Sequence, residues 1–291
     1  IEDMDGAENA LYPLRELQSK RSITKRVSHK DRNGNTKTIK LTVEGPVCVA
    51  GCTTQESIYE DNSNRSFLLY IDESAEQDQK IMDYQRLISA GKVNEEQEYK
   101  AKELLKNVQR LLKPIRVINP FAEYLELPQS VFKPRRTNSH YLQFIEAITF
   151  YKQYQREKQY DKETGEEFIE TTSEDIKEAN ELIIDVLLRK SDTITGATRN
   201  HLEKLKIYLQ ENNQTTFTNA EIRRNLRVKE TTLRRYNNQL LLENYIKKVK
   251  GKKGQLYHFE IINIDEYKEL KTLIKKALDN CIAQINLATS S

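Results

Sequence analysis

Residues 216–262 read TFTNAEIRRNLRVKETTLRRYNNQLLLENYIKKVKGKKGQLYHFEII, and their pattern decides the fold of the last third of the chain. In residues 218–226 and 229–243, apolar residues recur at helical spacing. In residues 246–262, two strand-like runs flank a turn bounded by Gly251 and Gly254. Helical patterns also precede and follow the stretch. The predicted elements are helices over 198–211, 218–226 and 229–243, a hairpin over 246–262, and a final helix over 264–286.

This order of elements is that of a winged helix-turn-helix. In the helix predicted over 229–243, Leu233, Tyr236 and Leu240 fall at helical spacing and are expected to face the core. The polar side chains left near the exposed face combine groups that bind phosphate with groups that read base edges. These side chains are Thr231, Thr232, Arg234, Arg235 and Asn238.

The predicted hairpin adds a basic wing, whose expected target is the phosphate backbone of DNA. Its lysines are Lys247, Lys248, Lys250, Lys252 and Lys253. Residues 193–260 hold fourteen basic and six acidic side chains. Winged helices also serve as protein docking modules, but this charge balance favours DNA as the partner.

Composition excludes several classes of protein. The 291 residues include 47 Lys and Arg against 44 Asp and Glu, with few Gly or Pro, so the chain is neither collagen-like nor a Pro/Gly-rich disordered protein. No run of 18 apolar residues occurs, which predicts no membrane span. Three cysteines, without zinc-ligand spacing to any histidine, fit a reducing compartment and predict a cytoplasmic protein.

A second basic block lies near the start of the chain, over residues 20–40, with eight basic side chains and one acid. Apolar and polar residues alternate within the runs 22–30 and 36–44, and an Asn-Gly pair lies between the two runs. This pattern predicts a β-hairpin. Few of its residues are apolar, so we expect it to project and to contact DNA phosphate; the alternative is an edge hairpin protected from aggregation by lysines. Its candidate DNA contacts are Lys25, Arg26, Lys30, Arg32 and Lys37.

The rest of the first 190 residues alternates between apolar runs and charged helical patterns. The apolar runs 46–52 and 67–71 predict buried strands. The segment 172–175, with Ser173 followed by Ile176 and Ala179, predicts the capped start of a helix, and residues 191–197 predict a linker. An acidic block over 155–185 holds eleven acids and four bases. The predicted helices cover 7–19, 76–112 with a break near Gly91, 136–155 and 172–189.

Three short segments suit ATP chemistry. Glu2 and Asp3 follow an apolar residue, Thr53 ends the first apolar run, and Arg65 precedes the second. An ATPase needs acids to hold Mg²⁺ and to orient water, a polar group near the γ-phosphate, and an arginine finger. Taken singly, Glu2 and Asp3 are better explained as a solvated acidic pair, and the alternatives for the other two are a threonine that caps a buried strand and a surface arginine.

In this order, the segments resemble the second half of an AAA+ ATPase of the minichromosome-maintenance type, and more specifically the helicase-primase proteins of phages and mobile elements. The sequence Ile1-Glu2-Asp3-Met4-Asp5 is similar to a Walker B segment with its two acids swapped. The segment 49–53 resembles sensor 1, and 64–70 resembles the arginine-finger segment. The helix that begins near Arg136 resembles sensor 2.

The resemblance implies a role for each residue. Glu2 and Asp3 would hold Mg²⁺ and orient water, Thr53 would sense the γ-phosphate, and Arg65 would act on a neighbouring subunit. Arg136, with Arg135 as second choice, would contact phosphate. The hairpin 22–44 would grip DNA in the pore of a homo-oligomeric ring, a hexamer.

The phosphate-binding pattern G-x-x-x-x-G-K-[ST] does not occur in the sequence. We therefore expect that this chain does not hydrolyse ATP by itself, and that ATP and Mg²⁺ are cofactors of a longer parent protein. The start at Ile1 also suggests a piece of a longer protein.

The predicted fold is a partial α/β AAA+ core over 1–75, a helical lid over 76–190, and an α+β winged-helix domain with a C-terminal helix over 191–291. The predicted function is part of an ATP-dependent DNA helicase, with primase as a possible fusion, in the replication of a phage or mobile element. The alternative is a non-catalytic DNA-binding replication or transcription factor, in which residues 1–190 form a scaffold.

Overall fold

The computed structural model divides the chain into two compact units, Ile1–Phe67 and Leu68–Ser291. The protein is a mixed α/β protein, with nine α-helices and three small sheets among the residues that the structure describes. Those residues are 1, 7–30, 36–53, 66–69, 71–72, 74–128, 134–250 and 257–289.

The first unit contains the predicted helix and hairpin. Helix α1 (Glu8–Lys20) leads into β1 (Ser22–Lys30), which pairs antiparallel with β2 (Thr36–Glu44) from Ser22↔Glu44 to Lys30↔Thr36. The hairpin prediction is thus confirmed, and every residue of β2 is exposed.

The buried strand predicted over 46–52 is wrong. Residues 45–53 have no regular secondary structure and are exposed or half-buried. Pro46 cannot donate a backbone hydrogen bond. Within residues 45–53, Gly45 bonds to the carbonyl of Arg21, and Ala50 and Cys52 bond to Ile1. An apolar run becomes a buried strand when neighbouring strands pair with it and other elements cover its faces.

The second predicted strand, over 67–71, is also wrong in its described part. Residues 67–69 and 71 have no strand structure. Leu69 and Ile71 are more than four-fifths exposed. The apolar pattern of this run is therefore not a sign of burial.

The helix pair predicted over 76–112 is confirmed as α2 (Ala75–Ser89) and α3 (Glu95–Leu111), with Gly91 at a positive φ of 64° between them. Ser74 and Asn94 cap the two helices by accepting hydrogen bonds from the backbone N–H groups of Gln77 and Gln97. Neither helix contains a buried residue.

The remaining elements follow in chain order, and several short strands among them were not predicted. The helices are α4 (Pro134–Tyr151), α5 (Ser173–Ser191), α6 (Gly196–Glu211), α7 (Asn219–Asn225), α8 (Glu230–Leu242) and α9 (Glu266–Thr289). The strands are β3 (Arg116–Ile118), β4 (Gln159–Tyr160), β5 (Glu167–Glu170), β6 (Thr216–Thr218), β7 (Ile246–Lys250) and β8 (His258–Ile261).

Helices α4, α5 and α9 form the first core of the second unit. Tyr141, Ile183 and Leu278 are buried in it, and the Tyr141 hydroxyl donates to Asn180 Oδ1 at 2.7 Å. The C-terminal helix thus packs with the helical segment before residue 190, which its sequence pattern did not indicate. The sheet β3-β5-β4 belongs to the same part of the chain.

The second core lies between helices α6, α7 and α8 and the sheet β6-β8-β7, in which neighbouring strands are antiparallel. Phe217 on β6 stacks on Phe259 on β8 with ring centroids 5.6 Å apart. Leu202, Leu233 and Leu240 fill the helical side. Strand β6 was missed because three residues are too few to show an alternating pattern.

The linker predicted over 191–197 is an ordered junction. Asp192 and Ile194 have buried side chains, and Thr195 caps α6, which begins at Gly196. The small polar residues of this segment suggested a linker, but here Asp192 bonds to Arg189 of α5 and to Arg199 of α6.

Candidate nucleic-acid interface

One face of α8 carries only polar side chains over two turns. Thr231, Arg234, Arg235 and Asn238 have the spacing i, i+3, i+4 and i+7, and all four are exposed. The opposite face carries the buried Leu233 and Leu240, as predicted. Thr232 lies at the edge between the two faces and is half-buried.

Helix α6 holds α8 in place. The Thr198 hydroxyl donates to Gln239 Oε1 at 2.6 Å, and the His201 ring stacks on Tyr236 at a centroid distance of 5.0 Å. Burial, with a smaller contribution from Lys204, lowers the pKa of His201 to about 4. His201 is therefore neutral at physiological pH and acts as a packing ring.

Helices α7 and α8 are joined by a hydrogen bond between two asparagine side chains. Asn237 is buried, and its Nδ2 donates to Asn219 Oδ1 at 2.7 Å. Thr218 and Glu221 form a capping box at the start of α7. The sequence alone did not identify Asn237, because a polar residue at a core position carries no sign of its partner.

The lysines of β7 extend the positive surface beside α8. Lys247 forms an ion pair with Glu260 at 3.1 Å, and the Lys248 ammonium lies 4.7 Å from the centroid of the Tyr257 ring. Lys250 is exposed and lies opposite His258 in the ladder. Lys252 and Lys253, also predicted to bind DNA, lie outside the described residues.

Further cations that were not predicted lie at the end of α7 and in the turn before α8. All are exposed, and Arg227 occupies the left-handed region with φ of 52°. The sequence signal that could have identified them is the cluster of basic residues where one predicted helix ends and the next begins. These residues are Arg223, Arg224, Arg227 and Lys229.

Glu230 offsets part of this charge. Its carboxylate accepts a hydrogen bond from Arg223 at 2.9 Å and one from Arg234 at 2.6 Å. Both arginines are exposed, and exposed pairs of this kind are weak, so a phosphate can replace the carboxylate.

The hairpin of the first unit has two different faces. Arg26 and Lys40 lie directly opposite each other across the ladder, on the face where Thr24 and Thr42 hydrogen-bond at 3.1 Å. Like charges in this position repel each other, which an anion would relieve. Lys25 lies on the other face, opposite Leu41.

The remaining predicted contacts of the hairpin are placed as follows. Lys37 lies opposite His29 and is exposed. Lys30 is described by its backbone alone, and Arg32 lies outside the described residues.

Of the predicted ATPase residues, the structure describes Thr53, Arg135 and Arg136. Thr53 is exposed and does not end a strand. Arg135 and Arg136 are exposed in the first turn of α4. Glu2, Asp3 and Arg65 lie outside the described residues.

A positive group surrounds the start of α4. Lys190 donates to His140 Nδ1 at 2.7 Å, one helical turn beyond Arg136. Burial lowers the pKa of Lys190 to about 8. Burial also lowers the pKa of His140, with the charges of Lys190 and Arg136 adding to the effect.

No cluster of three His, Cys, Asp or Glu side chains suited to a metal ion occurs within the described part of the chain. Among the helices described there, none combines the length and apolar content of a membrane span. Comparisons of the chain with protein families, with curated proteins and with solved structures find no match.

Proposed function

We propose that residues 196–261 form a winged-helix unit that binds duplex DNA, with α8 as its recognition helix. The observation that carries the proposal is the single polar face formed by Thr231, Arg234, Arg235 and Asn238. The order helix, strand, two helices and hairpin supports the winged-helix assignment.

The chemistry of this face fits the major groove. Arginine pairs with guanine O6 and N7, and asparagine with adenine N6 and N7, so Arg234, Arg235 and Asn238 are suited to base edges. The lysines of β7 and the cations of the α7–α8 turn are suited to phosphates on either side. The Asn237–Asn219 and Gln239–Thr198 hydrogen bonds hold α8 against α7 and α6 behind this face.

Fluorescence anisotropy with a labelled 25-base-pair duplex at increasing salt tests the proposal. Replacing Lys247, Lys248 and Lys250 with Ala is expected to weaken binding and to lower the slope of log Kd against log salt by about 2 to 3. The control variant K268A/K275A/K276A removes the same charge from exposed positions of α9 and is expected to bind as the parent chain does.

An R234A/R235A variant separates base reading from general attraction. It is expected to lose affinity for a selected sequence more than for random duplex. The proposal would be overturned if the K247A/K248A/K250A variant and the K268A/K275A/K276A control had equal salt slopes. It would also be overturned if the parent chain did not bind duplex DNA.

A second proposal places this DNA-binding unit in an ATP-dependent DNA helicase of the AAA+ type, in which the chain is a part of a ring-forming motor. One observation favours it. The amino group of Ile1 donates to the carbonyl of Ala50 at 2.7 Å, and the N–H of Cys52 donates to the carbonyl of Ile1 at 3.2 Å. This is the bonding pattern of parallel strands, as expected for Walker B beside sensor 1.

In this proposal Glu2 and Asp3 hold Mg²⁺ and orient the attacking water, and Thr53 senses the γ-phosphate. Arg65 acts on the ATP of a neighbouring subunit, and Arg136 or Arg135 contacts phosphate. ATP would supply the energy that moves the hairpins, including the exposed Arg26–Lys40 face, along DNA.

The test uses the full product of the coding sequence. DNA-stimulated ATP turnover is expected, and Arg65→Ala should abolish it while duplex binding through residues 196–261 persists. Arg116→Ala, at an exposed arginine of β3, is the matched control and should turn over ATP normally. A full product that binds duplex but shows no ATP turnover would instead support a non-catalytic DNA-binding replication or transcription factor.

A further inference from the structure

Helices α2 and α3 leave many apolar side chains exposed. Ten large apolar side chains of the two helices are exposed, and none of their 32 residues is buried. The exposed apolar residues are Ile81, Met82, Tyr84, Leu87, Ile88, Tyr99, Leu104, Leu105, Val108 and Leu111. We call the surface formed by those that repeat at helical spacing the α2–α3 face.

The apolar residues of this face form stripes at helical spacing. On α2, Ile81, Tyr84 and Ile88 have the spacing i, i+3 and i+7. On α3, Leu104, Val108 and Leu111 repeat the spacing of a coiled-coil seam. Leu104 is 65% exposed and Leu111 is 63% exposed. Single exposed leucines are common, but a continuous stripe marks an interaction surface.

Helix α3 is bonded to the end of α4 and to α2. At its base, Gln109 Nε2 donates to the Tyr151 hydroxyl at 2.6 Å, and the Tyr154 hydroxyl donates to the carbonyl of Leu111. Toward the tip, the Tyr84 hydroxyl of α2 donates to Glu98 of α3. These bonds leave the leucine stripe of α3 exposed.

Charge along α3 selects the partner. Residues 95–103 carry four acids and two lysines, whereas residues 104–111 carry Lys106 and Arg110 and no acid. Within the helix, Lys100 pairs with Glu96 at 2.6 Å and Lys106 with Glu103 at 2.7 Å, so each half keeps a net charge of two, negative in the first half and positive in the second. A copy placed antiparallel sets the net acidic half of α3 against the net basic half of its partner, and a parallel copy sets like charge against like charge.

We propose that the α2–α3 face binds the same face of a second copy of this chain, antiparallel and about a twofold axis. Each copy then buries the leucine stripe of the other, and the acidic half of each α3 lies against the basic half of its partner. Such an interface is isologous and closes at two copies. This inference is independent of DNA binding and of ATP hydrolysis.

Sedimentation equilibrium of the whole chain tests this association. The expected result is a concentration-dependent mass that reaches twice the 34.1 kDa of one chain. L104E/V108E is expected to be monomeric with an unchanged circular dichroism spectrum, because both side chains are exposed. The control Leu287→Glu, at a leucine of α9 that is 72% exposed, is expected to dimerise as the parent chain does.

A charge-reversal pair tests the antiparallel arrangement. E95K/E96K makes both halves of α3 basic, and K106E/R110E makes both halves acidic. Each variant alone should remain monomeric, and an equimolar mixture should form a heterodimer. A parent chain that stays monomeric up to 100 μM would overturn the proposal. So would an L104E/V108E variant that dimerises like the parent, or a mixture of the charge variants that does not associate.

Discussion

The guanidinium of Arg199 donates from Nε and Nη2 to the two carboxylate oxygens of Asp192, at 2.8 and 2.9 Å. Arg199 is only 5% exposed, and the rings of Tyr245 and Tyr267 lie over it, with centroids 4.9 and 4.2 Å from the guanidinium carbon. Asp192 also accepts from Arg189 at 2.7 Å. This buried pair joins the end of α5 to α6, and so joins the first core to the second.

Replacing Arg199 with Leu is expected to lower the free energy of unfolding by about 3 to 5 kcal/mol, because it leaves a buried carboxylate with one fewer cation. Urea denaturation followed by circular dichroism measures the change. Lys80→Ala, which breaks an exposed pair with Glu76 on α2, should change it by less than about 1 kcal/mol. Similar losses in the two variants would contradict a structural role for the Arg199–Asp192 pair.

His201 is expected to make the fold sensitive to acid. Its pKa is about 4 in the folded chain, against about 6.5 in an unfolded one, so the unfolded state binds more protons between these values. The His201 contribution to stability is complete above pH 6.5 and is lost as pH falls to 4, by up to about 3 kcal/mol.

The variant His201→Phe keeps a ring against Tyr236 but removes the titrating group. Urea unfolding of both proteins from pH 7 to pH 4 is expected to show a shallower loss of stability for the variant. Parallel curves would show that His201 does not titrate in this window.

Glu230→Gln is expected to strengthen duplex binding by roughly threefold to tenfold at low salt, because it removes a negative charge from α8 and releases Arg223 and Arg234 toward phosphate. Anisotropy titration measures the change. Glu76→Gln, an exposed acid on α2, is the control. Unchanged or weaker binding by Glu230→Gln would place the arginines away from DNA.

Arg26→Glu is expected to separate stability from binding in the hairpin. It converts the like-charged Arg26–Lys40 pair into an opposite-charged one, which should stabilise the pairing of β1 and β2 by about 0.2 to 1 kcal/mol. Binding of the chain to single-stranded DNA should weaken at the same time.

Thermal unfolding and anisotropy with a labelled oligonucleotide measure the two effects of Arg26→Glu. Thr24→Val, on the same face, is the neutral control, since it leaves the charge unchanged. Unchanged affinity in Arg26→Glu would exclude this face as a DNA contact.

The exposed face of α8 could be predicted because helical spacing alone separates Leu233 and Leu240 from Arg234 and Arg235. The pairing of β1 and β2 followed equally from the Asn-Gly pair in the sequence between them. In contrast, the run 46–52 has the composition of a buried strand, but burial depends on what pairs with it and covers it. Leu104 and Leu111 likewise have a core-like pattern on a helix that remains exposed.

The amino-acid sequence by itself determined the helices, their caps, the hairpins and the distribution of charge, because these depend on residues within a few positions of one another. Only the tertiary structure decided that α9 packs with α5, that Asn237 hydrogen-bonds to Asn219, and that Arg199 forms ion pairs with Asp192 and Glu266. Each of these contacts joins separate elements of the chain, and their energy comes from burial and charge pairing that no local pattern records.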